Sequence, residues 1–189
     1  MEMPLATVEG AQPTDRDLMA GVAGRDERAF AELVRRYGGR LYGAARRILG
    51  SAADAEDAVQ RALLQCYLGA DGYRPQWAVS TWLYRILTNI CVDELRRRAV
   101  RSGYRHDAAA AEVERVRQPD RSPDAGLDLR RALERVPREA RVLLALRYVD
   151  GLSYGELARI RGISLNTVKS QLARGKSILR AALSEGDMQ

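Results

Sequence analysis

The sequence predicts an all-α fold: two small helical domains joined by a flexible linker, the second of them a helix-turn-helix domain. Three observations lead there. Apolar residues recur at steps of three and four through most of the chain, the spacing that lines one face of a helix. A stretch between residues 99 and 125 is rich in alanine, charge and proline and almost empty of large apolar residues. The segment Ser153 to Arg180, SYGELARIRGISLNTVKSQLARGKSILR, carries a helix-capping serine on each side of Gly162.

Composition narrows the possibilities. The 189 residues hold 31 basic and 25 acidic side chains, and the net charge of +6 favours a polyanionic partner. No apolar run approaches the roughly 20 residues that span a bilayer. The opening MEMPLATVEGAQPTD lacks the basic and apolar regions of a signal peptide. A cytoplasmic protein without membrane insertion is therefore expected. Cys66 and Cys91 lack CxxC spacing and His106 is the single histidine, so no zinc site of known spacing is available. Both cysteines fall on apolar helix faces and are expected to be buried thiols. His106 reads as an exposed surface residue.

Taken in order, residues 1–13 are small and polar and are expected to form a disordered tail. Thr14, with Asp17 three residues on, caps a short helix through Leu18 and Val22 that ends near Gly24. Asp26 caps the next. There Phe30, Leu33, Val34, Tyr37, Leu41, Ala45 and Ile48 form an amphipathic stripe, Gly50 stops the helix, and Arg36, Arg40 and Arg47 occupy a solvated side. A third helix is predicted over Asp54 to Leu68, with Ala55, Val59, Ala62 and Cys66 inward. Its acidic first turn, Asp54, Glu56 and Asp57, complements the helix dipole; contact with a basic partner is the alternative.

Gly69 to Val79, GADGYRPQWAV, reads as a loop. Its aromatics either stack on unpaired bases or cover the edge of the core. Ser80 or Thr81 caps the helix that follows, where Leu83, Ile86, Leu87, Ile90, Cys91 and Leu95 make a broad apolar side. Trp82, Arg85, Asn89 and Arg96 share another side, suited to nucleic acid. Arg96, Arg97 and Arg98 also suit the negative end of the helix. Beyond a part-helical linker, Leu127, Leu129, Leu133 and Val136 open the second domain. Pro137 then fits the first turn of a helix running through Val142, Leu143, Leu146 and Tyr148.

The C-terminal segment combines caps, turn and charge. Ser153 and Glu156 make a capping box, Gly162 supplies the turn, and Ser164 caps a second helix with Leu165, Val168 and Leu172 on one face. From Leu152 to Leu183 six basic residues stand against Glu156 alone, a local charge of +5 (six minus one) suited to a phosphate backbone. In a helix-turn-helix the second helix can enter a DNA major groove; an ordinary helical hairpin with a solvated basic face is the alternative. There is no Walker loop, GxGxxG, GxSxG, HExxH or cysteine cluster. No catalytic site and no cofactor are expected.

Four segments taken together resemble the extracytoplasmic-function (ECF) sigma factors of bacterial RNA polymerase. They are DLMAGVAGRDERAFAELVRRY, DAEDAVQ, STWLYRILTNICVDELRRR and the stretch from LERVPREARVLLALRYVDG through SQLARGK. The resemblance implies an initiation factor with no catalytic chemistry of its own. Its domain at 14–98 would bind the β′ coiled coil of polymerase core and the melted −10 promoter element. Its domain at 126–185 would bind the β flap and the −35 element. Asp54, Asp57 and Gln60 would contact polymerase. Trp82, Arg85, Asn89, Arg96 and Arg97 would meet the −10 strand, with Asn89 and the preceding loop holding a flipped base. On the second helix Asn166, Lys169, Ser170 and Ala173 would face bases and Arg174 the backbone. Gln171 stands where such proteins commonly carry arginine, and Ala173 is small where some carry an aromatic, so the promoter sequence is not implied. An anti-sigma factor often inhibits members of this family. A free-standing, dimeric helix-turn-helix regulator is the competing reading, and it leaves DAEDAVQ and STWLYRILTN unexplained. A nucleic-acid-processing enzyme would need an acidic metal cluster or a nucleophile constellation, which the sequence lacks.

Overall fold

Caps set the helix boundaries. In the computed structural model, which describes residues 12–106 and 125–186, helix α1 (Asp15–Ala23) opens on a capping box. The Thr14 hydroxyl accepts from the Asp17 amide at 3.2 Å, and the Asp17 carboxylate accepts from the Thr14 amide at 2.9 Å. The Thr14 hydroxyl, donating to the Asp17 carboxylate at 2.7 Å, and then the Thr14 amide hold that carboxyl below its usual range. Helix α2 (Glu27–Leu49) is capped by Asp26 and ends at Gly50, whose φ of 74° lies in the left-handed region glycine enters without strain. Helix α3 (Ala52–Leu68) starts two residues before the expected Asp54, because Ser51 takes the cap. A short 3-10 turn, Ala70–Gly72, lies within the predicted loop.

Helix α4 (Val79–His106) departs most from expectation. It begins ahead of Ser80 and Thr81, so neither is its cap; Thr81 is buried instead. It also continues eight residues past Arg98, so the Arg96–Arg98 run sits inside the helix rather than at its negative end. Arg98 serves another terminus. It donates to the Leu49 carbonyl at 2.8 Å, closing the end of α2, and pairs with Asp54 at the start of α3. The predicted linker is thus helical to His106; residues 107–124 and 1–11 lie outside the described residues, as does the His106 side chain.

The first four helices pack on one another around Leu33, Leu41, Ile48, Val59, Leu83 and Leu87. The expected stripe of α3 is buried, Cys66 included, and so is Cys91 on α4. Arg36 is half-buried rather than solvated: it bonds Glu32 at 2.7 Å and Asp15 at 3.0 Å, and Asp15 also accepts from the Tyr37 hydroxyl. These contacts fasten α1 across α2.

The second group comprises α5 (Ala125–Arg135), α6 (Arg138–Tyr148), α7 (Tyr154–Arg161) and α8 (Leu165–Gly186). Pro137 is the cap of α6 rather than part of its first turn. On α5 Ala132 is buried, as is Val136 just past its end, while Leu129 is 44% exposed. The capping box of α7 forms as expected, and Gly162 takes a φ of 66°. The Ser164 hydroxyl caps α8, accepting from the Thr167 amide at 3.1 Å. Val168 and Leu172 are buried, but Leu165, in the first turn of the same face, is half-exposed. Gly175 was no part of the predicted core, yet a Cβ there would lie 3.1 Å from both Ala140 Cβ and Leu144 Cδ1. That missing side chain sets how closely α8 lies on α6.

Two outcomes follow. Gly175→Leu should destabilise the second group by about 1–3 kcal/mol through overpacking, read as a lower thermal midpoint. Gly39→Ala, at a helical site with nothing within 4 Å, should leave it unchanged or higher. Burial pushes the Cys66 and Cys91 thiols up to about 12. Native protein should therefore resist maleimide at neutral pH and take up label at both cysteines only in denaturant.

Candidate nucleic-acid and polymerase interfaces

Three surfaces carry the residues singled out in the sequence. The first is the outer side of α8. Val168 and Leu172 turn inward, so Asn166, Lys169, Ser170, Ala173 and Arg174 are left exposed together. Lys169 and Arg174 form no ion pair with any described residue, and α8 holds no carboxylate from Leu165 to Leu183. The side is therefore cationic and open, with only small polar or apolar groups between the two charges. Lys176, one turn further, lies 5.5 Å from the centre of the Tyr148 ring.

The second surface is built by the loop before α4 and the first turns of that helix. Tyr73 meets Trp82 edge-on at 5.5 Å and donates its hydroxyl to the Trp77 carbonyl at 2.6 Å. The Arg85 guanidinium lies 5.0 Å above the Trp77 ring. Gly72, Arg74, Trp77, Trp82 and Arg85 line a cleft of about 250 Å³, below the roughly 300–1,000 Å³ of drug-sized sites. It suits one planar ring system, with aromatic walls and two guanidinium groups at its rim. The two readings of the loop aromatics thus divide: Tyr73 packs against the core, and Trp77 faces the cleft.

Asn89 lies one turn beyond Arg85 and does not line the cleft. Its side-chain oxygen accepts from Arg161 Nη1 at 3.1 Å. The same nitrogen is 3.3 Å from Thr88 Oγ1, and Nη2 is 2.6 Å from Glu139 Oε2. Arg96 and Arg97 are exposed and pair locally with Asp93 at 3.3 Å and Glu94 at 3.7 Å. Arg74 was not singled out in the sequence, because a lone arginine between Tyr73 and Pro75 carries no periodic signal. Arg161 was read only as part of a charge count.

The third surface lies between α2 and α3. Gln60 is exposed and lines an apolar groove of about 570 Å³ with Phe30, Val34, Leu63, Leu64 and Tyr67. Phe30 and Tyr67 meet at 5.0 Å, while Leu64 is 56% and Leu68 60% exposed. Asp57 stands out from the helix, 3.3 Å from Arg61. Asp54 is instead drawn to Arg98. The leucines were missed because they fall outside the inward stripe of α3, although LLQCYL offers more apolar residues than one stripe needs. Among the described residues no group of three or more His, Cys, Asp or Glu is placed to hold a metal ion, and no helix is long and apolar enough to cross a membrane.

Comparison with known proteins defines the class first. Residues 33–101 match the family model for sigma-70 region 2, and residues 126–179 match that for sigma-70 region 4. The ECF RNA polymerase sigma factor SigM of Mycobacterium tuberculosis is 35% identical over 171 residues, spanning 90% of this chain and 85% of that protein. SigW of Bacillus subtilis, also an ECF sigma factor, is 32% identical over 84% of this chain and 90% of its own length. Among solved structures, CnrH in complex with the cytosolic domain of CnrY superimposes with a TM-score of 0.66 at 27% identity, covering 90% of this chain and 97% of CnrH.

The chain therefore belongs to the ECF sigma factors of RNA polymerase. It directs core polymerase to promoters at transcription initiation, and both matched regions, not the helix-turn-helix alone, take part. A free-standing regulator would leave the match over residues 33–101 without a role.

Proposed function

We propose that the three surfaces divide the work of initiation among named residues, within a domain at 14–98 and a domain at 126–185. The outer side of α8 reads the −35 element, with Asn166, Lys169, Ser170 and Ala173 toward bases and Arg174 toward phosphate. The cleft beside α4 receives a −10 base, with Trp82 and Arg85 in its wall and Asn89, Arg96 and Arg97 along the strand path. Asp57 and Gln60, with the apolar groove beside Gln60, bind polymerase core, while Asp54 contributes by holding α3 to α4. The protein supplies contacts and no catalytic chemistry of its own.

The observation that carries this reading is the cleft. Extracting a base from a duplex costs a few kcal/mol of stacking and pairing, so the protein must offer a replacement. Trp77 and Trp82 present ring faces and edges, and Arg74 and Arg85 supply charge for the adjoining phosphates. An amide such as Asn89 pairs with a base edge. The open cationic side of α8 supports duplex binding, since its cations are not spent on internal carboxylates. An inhibitory anti-sigma factor is a further proposed partner, supported by the capture of CnrH with the cytosolic domain of CnrY.

Reconstitution with core polymerase tests these roles. Asn89→Ala should impair melting and change preference at one −10 base, while closed complexes persist through α8. A promoter mismatched across the −10 region should restore part of the activity. A permanganate footprint showing normal melting by Asn89→Ala on paired DNA would remove Asn89 from the strand path. Lys169→Ala should cost about 1–3 kcal/mol of promoter binding if the lysine makes a bidentate base contact, and less if it meets phosphate. Transcription unchanged in both Lys169→Ala and Arg174→Ala would refute the α8 assignment.

The groove has its own measurement. Leu64→Ala should weaken core binding by at least about 1 kcal/mol, roughly fivefold, if the leucine is a buried anchor of that interface. Asp57→Lys with Gln60→Ala should act in the same direction without loss of helix content. Unaltered titration of core by both variants would move the polymerase contact elsewhere.

A further inference from the structure

We infer that Arg25, in the turn between α1 and α2, is a positioning residue for the cleft: it braces the root of the loop that carries Arg74 and Trp77. The inference rests on the reading that the cleft receives a −10 base.

The turn itself is unusual. It comprises Gly24, Arg25 and Asp26, and α1 lies so close on α2 that a Cβ at Gly21 would fall 2.6 Å from Ala29 Cβ. This short reversal places one residue in the left-handed region. That residue is Arg25, with a φ of 64°, the one non-glycine among the described residues with a positive φ. Gly24 stands beside it at −75°, so the glycine is not where the backbone freedom is used. A side chain kept at a strained position points to a task for that side chain.

Its contacts show the task. Arg25 Nη1 donates to the Tyr67 carbonyl, 42 positions away in the chain, at 2.7 Å. Carbonyls in the last turn of a helix lack partners within it, so this charge-assisted bond closes the end of α3. The same guanidinium lies 5.0 Å from the centre of the Tyr67 ring. Its Nη2 is 4.0 Å from Asp71 Oδ2 in the 3-10 turn. That last contact is the weakest, because the Asp71 side chain is 74% exposed. Carbonyl and ring supply the grip.

What is gripped is the start of the cleft loop. Helix α1 packs on the 3-10 turn Ala70–Gly72, and Gly72 already lines the cleft. Further on, the Tyr73 hydroxyl on the Trp77 carbonyl and Arg85 over the Trp77 ring tie the loop to itself and to α4. Arg25 ties its root to the turn between α1 and α2. Glycines at 69 and 72 would otherwise let the root hinge, and Gly72 and Arg74 would drift from Trp82 and Arg85 on the α4 wall. A wall that must be ordered on binding subtracts that entropy from the affinity. The brace therefore acts on base capture without touching the base.

The chain supplies its own reporter. Its two tryptophans, Trp77 and Trp82, both line the cleft. In the free full-length chain Arg25→Gly, which suits the left-handed backbone, should keep its helix content and raise acrylamide quenching of tryptophan. In holoenzyme at saturating core, the position read by the cleft is the −10 base at which Trp77→Ala flattens the preference. Arg25→Gly should lower discrimination there about tenfold, the factor expected if the cleft is formed in about one molecule in ten without the brace. Dependence on the −35 sequence should stay as in the parent, and Asp71→Ala should change neither readout. Unchanged quenching in Arg25→Gly would overturn the brace, and so would raised quenching with discrimination fully kept. A lower thermal midpoint with both readouts unchanged would reduce Arg25 to a stabilising contact and overturn the inference as well. Equal effects of Asp71→Ala and Arg25→Gly would overturn the grip through Tyr67. If Trp77→Ala flattens no −10 preference, the base-capture reading fails instead, and quenching in the free chain still decides whether Arg25 holds the loop.

Discussion

Everything in this molecule leans on the burial of α4. Its apolar side of Leu83, Leu87, Ile90 and Cys91 fills the core of the first group, as an amphipathic helix should. But Tyr84, Thr88 and Val92 are buried too, and they point elsewhere. Thr88 is fully enclosed and satisfies its hydroxyl by bonding the Arg85 carbonyl at 3.2 Å. A helix enclosed on two sides cannot slide or roll, so the side chains on its remaining side keep fixed positions. The cleft wall and the strand-path residues inherit their placement from that constraint.

Charge is partitioned in the same spirit. In the first group carboxylates are matched to arginines: Asp15 and Glu32 to Arg36, Asp54 to Arg98, and Glu94 to Arg101 at 2.8 Å. Pairs this exposed add little stability individually. Their effect is to fix helix ends and to neutralise positive charge where the chain must pack. On the outer side of α8 no carboxylate does this: from Leu165 to Leu183 the helix carries four basic residues and no acidic one. An attraction to phosphate that is long-ranged and salt-sensitive then acts where the two proposed DNA surfaces lie.

Local signals in the sequence were read well. The Thr14 and Ser153 capping boxes, the left-handed glycines at 50 and 162, and the inward stripes of α2 and α3 depend on residues a few positions apart. What escaped was set by distance in the chain. Ser80 and Thr81 are good caps by type, but packing of Val79 and Thr81 pulls the helix start ahead of them. Arg98 looks like a C-terminal charge until α2 brings the Leu49 carbonyl beside it. Gly175 looks like a helix weakness until α6 is laid against it. Of the candidate sites, the exposed set on α8 was legible because one helix carries all of it. The cleft was half legible, since Arg74 enters it only through the path of the loop. The apolar groove beside Gln60 was not, because its two walls come from different helices.

The two proposed DNA surfaces also differ in the shape their tasks require. Reading a closed duplex calls for a convex rod that fits the major groove, and α8 stays slender there: small side chains outside, and Gly175 inside letting it sit close on α6. Holding an extruded base calls for a concavity lined with rings. A helix alone offers none, so the cleft is completed by the loop before α4, pinned by the Tyr73 hydroxyl on the Trp77 carbonyl. Pinning matters because each aromatic ring would otherwise lose rotamer freedom on meeting the base, and that entropy would be subtracted from the stacking energy. With the Arg85 guanidinium already over the Trp77 ring, much of the ordering is complete before the strand arrives. The stacking gained is then free to be set against the cost of unpairing, which is the balance that strand opening requires.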